Sequence, residues 1–133
     1  MSDNLDLVRS ILASWERGEM ISDQWSEWAH PEIEMVVVGG PEPSSHTGLA
    51  DAAPSIEAFL NRWDDYRVKA DEYRELDDER VLVLTSQSGR GRGSGVETSQ
   101  ARATLFHIRD GRVTRRVNYW DRDRAVADLG LER

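Results

Sequence analysis

Apolar residues recur at helical spacing in two segments of the first half of the chain. The first stripe is formed by Leu5, Val8, Ile11, Leu12 and Trp15. Ser2 or Asp3 is the predicted cap of this helix, and Gly18 is its predicted end. The second stripe, at i, i+3, i+4 and i+7, is formed by Ile56, Phe59, Leu60 and Trp63. Both patterns indicate amphipathic helices, and Pro54 is expected in the first turn of the second.

The segment between these helices predicts a short helix followed by a strand. Trp25 and Trp28 lie three residues apart behind Ser22, which is a suitable helix cap. Residues 33–40, IEMVVVGG, predict a strand. Residues 41–48, PEPSSHTG, predict a loop by their Pro, Ser and Gly content.

The period of alternation changes to two from Tyr66 onward, which predicts strands. Further strands are expected over residues 80–88, 96–109 and 112–120. The pair Asp110-Gly111 is the signal of a two-residue hairpin. Asp121 then caps a short helix over residues 122–129. Helices first and a run of strands afterwards predict an α+β layered domain.

Residues 89–95, GRGRGSG, fit two different interpretations. They resemble an RNA-binding Arg-Gly tail, and they also suit a loop between antiparallel strands, since glycine supplies unusual backbone angles. The flanking sequence is not of low complexity, and the formal net charge of −8 gives an acidic body that repels phosphate backbones. A hairpin and no nucleic-acid partner are therefore predicted, with RNA binding kept as an alternative.

The composition narrows the class of protein further. A length of 133 residues predicts one domain, residues 1–133, and the lack of cysteine excludes disulfides and zinc–thiolate sites. The three histidines show no metal-ligand spacing, so we expect no metal and no cofactor. The sequence shows no signal peptide, and no apolar run approaches the ~18 residues of a membrane span. We expect a cytoplasmic protein with no membrane partner.

The order of four segments carries a family resemblance. These segments are WERGE, HPEIEMVVVGG, HTGLADAAPSIEAFLNRW and DGRVTRRVNYWDRDRAVADLGL. Together they resemble the SnoaL-like polyketide cyclase branch of the nuclear transport factor 2-like (ketosteroid isomerase-like) superfamily. The resemblance implies an α+β cone, in which a curved antiparallel sheet packs on N-terminal helices and encloses a cavity. It also implies a homodimer through the outer sheet face.

The catalytic residues of the best-known branches are mostly absent. Where the resemblance implies the isomerase base, tyrosine and acid, this chain has Val37, Ile11 and Thr104. Of the Asp-Arg-Asp set of the epoxide hydrolases, only the arginine has a match, Arg102. The acid of the cyclases has a match in Asp121, which also suits a helix cap.

The resemblance also implies which residues line the cavity. These are Trp15, Trp63, Leu84, Ser86, Ser88, Arg102, Thr104, Phe106, Arg116, Asn118 and Trp120. The opposite register of the third long strand is the alternative, and it turns Ala101, Ala103, Leu105 and His107 inward. Two inward arginines need partners, either an anionic ligand or internal acids such as Glu34 and Glu97.

These observations predict a small-molecule-binding protein. The ligand is expected to be hydrophobic and to carry a carbonyl or an anionic group, and isomerase, cyclase and hydrolase chemistry all stay open. The catalytic candidates are His107, Asp121 and Arg102. His107 is the candidate general base by the ordinary pKa of histidine, and a hydrogen-bonded structural histidine is the alternative interpretation. A non-catalytic ligand-binding or protein-interaction module is the alternative.

Overall fold

The computed structural model describes residues 3–19, 25–40 and 43–131 of the chain. The described helices are α1 (Asp3–Glu16), α2 (Trp25–Trp28), α3 (Leu49–Leu60) and α4 (Arg122–Leu129). The described strands are β1 (Ala29–Val38), β2 (Ser44–Thr47), β3 (Trp63–Glu75), β4 (Arg80–Gly91), β5 (Glu97–Arg109) and β6 (Arg112–Tyr119). They form one six-stranded curved sheet in the order β2-β1-β6-β5-β4-β3, which confirms the α+β cone.

Each face of the sheet carries an apolar cluster, and a helix packs on each cluster. On the inner face, α1 buries its stripe of Val8, Ile11, Leu12 and Trp15 against residues such as Phe106 and Val83. On the outer face, α4 packs Ala125 against a second cluster that includes Leu105 and Val117. All neighbouring strands are antiparallel except β1 and β6, which are parallel. The curvature leaves a space between the inner face and α3.

Both predicted hairpins are confirmed. Strands β4 and β5 pair from Arg80↔His107 to Arg90↔Glu97, so GRGRGSG joins two antiparallel strands. Gly93 and Gly95 have φ of 94° and 70° there. Asp110 and Gly111 have φ of 53° and 76°, as the turn of a two-residue hairpin requires.

Three predictions about the elements differ from the structure. The second long helix begins at Leu49 and ends at Leu60, so Pro54 lies inside it and not in its first turn. Trp63 is the first residue of β3, where it pairs with Gly91, because the chain leaves the helix at Asn61. Part of the predicted loop, Ser44–Thr47, is strand β2. The predicted caps Ser2 and Ser22 lie outside the described residues.

Candidate functional site

A cavity of about 280 Å³ lies between the inner face of the sheet and α3. Apolar side chains from several elements form much of its wall, among them Trp15, Met35, Ile56, Phe59, Val68 and Trp120. Its polar side chains include His46, Tyr66, Gln87, Arg102, Thr104, Arg116 and Asn118. No aspartate or glutamate lines it among the residues that the structure describes. The polar part of the wall is therefore neutral or cationic.

The strand register places the polar residues in rows across the sheet, because directly paired residues point to the same face. One row runs from His46 through Met35 to Arg116 and Phe106. The next row runs through Val37, Asn118 and Thr104. The hydroxyl of Thr104 donates to the amide oxygen of Asn118 at 3.0 Å, which fixes the centre of this row.

Arg116 is a buried cation that has no counter-ion among the described residues. It is 6% exposed, and the pKa of its guanidinium is lowered to about 10 because burial disfavours the charged form. Its charge centre lies 5.1 Å from the ring of Trp15 and 6.0 Å from that of Trp25. Its Nε has no hydrogen-bond partner, and no carboxylate of the described residues forms a salt bridge with it. The faces of these two indole rings offer negative potential to the guanidinium.

Arg102 is the second inner arginine, and neutral groups hold it. Its Nε donates to Gln100 Oε1 at 2.9 Å and its Nη1 to Gln87 Oε1 at 3.3 Å. Its charge centre stacks on the ring of Trp120 at 3.7 Å. Burial lowers the pKa of Arg102, and nearby Tyr66 opposes that shift. Burial raises the pKa of Tyr66 to about 12, so its hydroxyl, which donates to Gln87, stays protonated.

The segment that follows β1 packs against Trp120. Gly40 has φ of 74°, and its backbone lies directly against the indole of Trp120. A Cβ at this position would overlap the ring atoms, so the site needs glycine for its backbone angle and for its lack of a side chain.

The structure brings six of the predicted lining residues together around the cavity. These are Trp15, Arg102, Thr104, Arg116, Asn118 and Trp120. In β5, Arg102 and Thr104 therefore face the cavity, while Ala103 and Leu105 belong to the cluster under α4. Glu34 and Glu97 are both exposed and do not pair with either inner arginine.

The predicted register of β4 is wrong. Arg102 pairs with Thr85 and Thr104 with Val83, so the odd-numbered residues of β4 share the inner face. Leu84 and Ser86 therefore lie on the outer face, where Leu84 joins the cluster under α4. Ser88 lies on that face too, in a separate surface groove.

Two predicted aromatic lining residues also lie elsewhere. Phe106 is fully buried and packs on Trp15 with ring centroids 5.9 Å apart, so it belongs to the core beneath the cavity. Trp63 packs beside Phe59 and Tyr66 at 6.2 and 5.9 Å, and those two side chains line the cavity while Trp63 does not. Trp63 supports the wall without lining it.

Two of the three catalytic candidates lie away from the cavity. His107 is on the outer face, next in sequence to inward Phe106, and its pKa is lowered by burial and then by Arg115 and Arg80. Asp121 is the cap of α4, since its Oδ1 accepts the backbone N–H of Asp123 at 2.8 Å. Of the three candidates, only Arg102 lines the cavity.

The predicted lining set leaves out His46, Tyr66 and Gln87, which all line the cavity. Gln87 follows from the hairpin register, because it pairs with Gln100 on the same face as Arg102. His46 lies in a segment that reads as loop but forms β2, where it pairs with Met35. An edge strand of four residues carries no periodic signal strong enough to find.

Comparison with known proteins agrees with the fold. The family model described as a SnoaL-like domain matches residues 8–116. The chain belongs to the SnoaL-like family. Membership indicates a small-molecule-binding domain. No curated protein matches the sequence.

Solved structures of similar fold share little sequence with this SnoaL-like chain. A protein from Jannaschia sp. CCS1 described as a SnoaL-like polyketide cyclase is 16% identical with a TM-score of 0.77, and the match covers 98% of this chain and 94% of that one. TerC, co-crystallised with polyporic acid, is 17% identical with a TM-score of 0.76, covering 97% and 99%. A protein of ketosteroid isomerase-like fold from Catenulispora acidiphila, in complex with trimethylamine, is 15% identical with a TM-score of 0.70, covering 96% and 94%.

The described residues contain neither a helix suited to span a membrane nor a cluster suited to hold a metal ion. None of the helices in residues 3–19, 25–40 and 43–131 combines the length and apolar character of a membrane span. The same residues contain no group of three or more His, Cys, Asp or Glu side chains placed to hold a metal ion.

Proposed function

We propose that this SnoaL-like domain binds a small, largely apolar organic molecule by an anionic group, and that Arg116 and Arg102 hold this group. The observation that carries the proposal is the buried guanidinium of Arg116, which lines the cavity without a carboxylate partner among the described residues. A buried charge without a partner is destabilising, so a ligand that supplies the missing negative charge gains affinity from it.

The surroundings of the arginines favour an anion attached to an aromatic or otherwise flat body. Indoles of Trp15 and Trp120 form part of the wall, and flat apolar walls suit such rings. The guanidinium offers paired N–H donors that match the two oxygens of a carboxylate. The absence of acidic side chains from the described wall removes the repulsion that an anion would otherwise meet.

The ligands of the structural neighbours do not decide the charge of the ligand. One neighbour was crystallised with polyporic acid and another with trimethylamine, an acid and an amine. At such low identity only the fold is shared, so the choice between anion and cation depends on this chain's own residues. The two inner arginines favour the anion.

A protein-interaction module is the competing interpretation, and the surface gives it little support. Among the described residues, Val96 is the large apolar side chain that stands exposed, at 59%. A single exposed residue is not an apolar patch. Dimerisation through the outer sheet face stays a prediction, and α4 already packs against Leu105 and Ala103 of that face.

The proposal is tested by calorimetric titration with 2-naphthoate and with its neutral methyl ester, which has the same ring system. We expect the carboxylate to bind about 10-fold or more tightly than the ester, since a hydrogen bond to a charged group contributes about 1.5–3 kcal/mol. Arg116→Met should remove most of this preference. Arg115→Met, at the exposed neighbouring position, is the matched control and should keep it. Equal binding of acid and ester by the wild type would contradict the proposal.

A further inference from the structure

We propose that His46, oriented by Asp51, is the acid–base group of this cavity and moves a proton at a carbon next to the carbonyl or carboxylate of the bound molecule. This inference rests on the proposed function, because the arginines must hold the anionic end of the ligand. It makes the domain an enzyme of the proton-transfer class and makes its ligand a carbon acid.

The imidazole of His46 is held in one orientation. Its Nδ1 lies 3.1 Å from Asp51 Oδ2, and the same oxygen accepts the backbone N–H of Thr47 at 3.3 Å. A carboxylate against Nδ1 favours the tautomer with its proton on Nδ1, which leaves the lone pair on Nε2. His46 lines the cavity, so this lone pair belongs to a group that a ligand can reach. An imidazole fixed by an acid in this way is the arrangement of a general base.

The sheet places this base in the same row as the proposed anion-binding arginine. His46 and Arg116 both pair with Met35, from either side, so their side chains rise from the same face. Two strand spacings separate their backbones by about 10 Å. Both side chains line the same cavity of about 280 Å³. A ligand whose anionic end contacts Arg116 can thus present its adjacent carbon towards His46.

His46 is also the described lining side chain best suited to act as a base. The described wall has no aspartate or glutamate, and Tyr66 donates its hydroxyl proton to Gln87. Histidine is the side chain that most often performs general acid–base catalysis. Asp51 lies in the first turn of α3, and its contact with the backbone N–H of Thr47 also links β2 to this helix. That link alone does not need histidine at position 46.

The proposed step is balanced within the site. The Nε2 lone pair of His46 takes a proton from the carbon, and the electrons of the C–H bond form an enolate on the neighbouring oxygen. The guanidinium of Arg116 stabilises the developing negative charge. His46 then returns the proton to the same carbon or to a conjugated one, which gives exchange or isomerisation without any co-reactant.

The test uses phenylpyruvate as the probe, because it joins an aromatic ring, an anionic end and an acidic benzylic carbon. Loss of the benzylic proton signals in D₂O is followed by NMR, and binding is measured separately by calorimetry. The wild type should exchange these protons faster than buffer alone. His46→Gln keeps a hydrogen-bonding partner for Asp51, and it should lose about 100-fold or more of the protein-dependent rate while binding phenylpyruvate normally.

Two further variants separate orientation from folding. Asp51→Asn should lower the rate, and the double variant with His46→Gln should be no slower than His46→Gln alone, because both changes act on one imidazole. A merely structural role of Asp51 would instead add a loss of binding. His30→Gln, at an exposed histidine of β1 that does not line the cavity, is the matched control and should exchange at the wild-type rate.

The outcomes distinguish the two proposals. If the wild type binds phenylpyruvate but exchanges its protons no faster than buffer, or if His46→Gln keeps the full rate, the role of His46 is overturned and the anion site stands. If the wild type does not bind phenylpyruvate at all, the anion site itself is contradicted.

Discussion

Under the proposed function, Arg116 serves ligand binding at a cost to the stability of the empty domain. Its charge is buried beside two indoles and has no carboxylate partner among the described residues. Folding without ligand must therefore desolvate a charge that gains little in return. This cost to the empty protein is the reason for the proposal that Arg116 serves a ligand.

Replacement of Arg116 should consequently stabilise the empty domain. We expect Arg116→Met to raise the free energy of unfolding by about 1–3 kcal/mol, because methionine fills the space without a charge. Urea denaturation without ligand measures this change. Arg115→Met at the neighbouring exposed position should change it by less than about 0.5 kcal/mol. A clear loss of stability in Arg116→Met would show that the guanidinium has an internal partner.

Asp71 is a residue whose charge supports folding, and the sign of its pH dependence is defined. Its pKa is lowered, chiefly by the hydrogen bond from Ser86 and then by Arg122. A carboxyl whose pKa falls on folding contributes stability above its unfolded pKa of about 4 and loses that contribution at lower pH. Asp71→Asn should therefore destabilise at neutral pH and flatten the acid limb of the stability profile. An unchanged acid limb would contradict the assignment.

At the scale of elements, one residue caps α4 and one arginine links this helix to the sheet. Asp121 caps the helix, and Arg122 donates to the carbonyl of Thr85 at 2.8 Å and to that of Arg102 at 3.2 Å. We expect Asp121→Ala to cost about 1 kcal/mol of unfolding free energy, and Asp121→Asn, which also caps, to cost little. Both should bind 2-naphthoate like the wild type. Loss of binding in both variants would show that Asp121 belongs to the ligand site.

The turn after β1 makes a second prediction at this scale. Gly40→Ala should destabilise the domain and weaken ligand binding, because the new Cβ displaces Trp120 and with it the stacking on Arg102. Gly18→Ala is the matched control, since Gly18 has a similar φ of 86° but open space around it. It should show only the backbone cost of about 1–3 kcal/mol and normal binding. Equal effects of the two substitutions would mean that the contact with Trp120 does not matter.

Elements with strong local signals could be predicted from the sequence, and the register of β4 could not. Helix α1, helix α4 and both hairpins rest on capping, periodicity and glycine, which act over a few residues. The alternation along β4 is ambiguous, because its inner face carries Thr85 and Gln87 while its outer face carries Leu82 and Leu84. A polar cavity inside and a helix outside invert the usual hydrophobic-in pattern. The pairing with β5 was needed to decide between the faces.

At the scale of the whole molecule, the net charge opposes the proposed ligand. The body carries a formal charge of −8, while the described cavity wall is cationic. An approaching anion meets long-range repulsion that salt screens, whereas the buried contact with Arg116 is screened much less. The association rate of 2-naphthoate should therefore rise between about 20 and about 200 mM salt, as stopped-flow mixing would measure. A falling rate would indicate that the arginines already act at the surface.

The closeness of the inner arginines to indole rings has one more consequence. Arg116 lies near Trp15 and Trp25, and Arg102 stacks on Trp120. Three of the five tryptophans therefore lie beside a guanidinium. Indole emission depends on the charge beside the ring, and a bound anion changes that charge. The protein thus contains its own optical reporter, and a library of unlabelled metabolites can be screened by the colour and intensity of its ultraviolet emission.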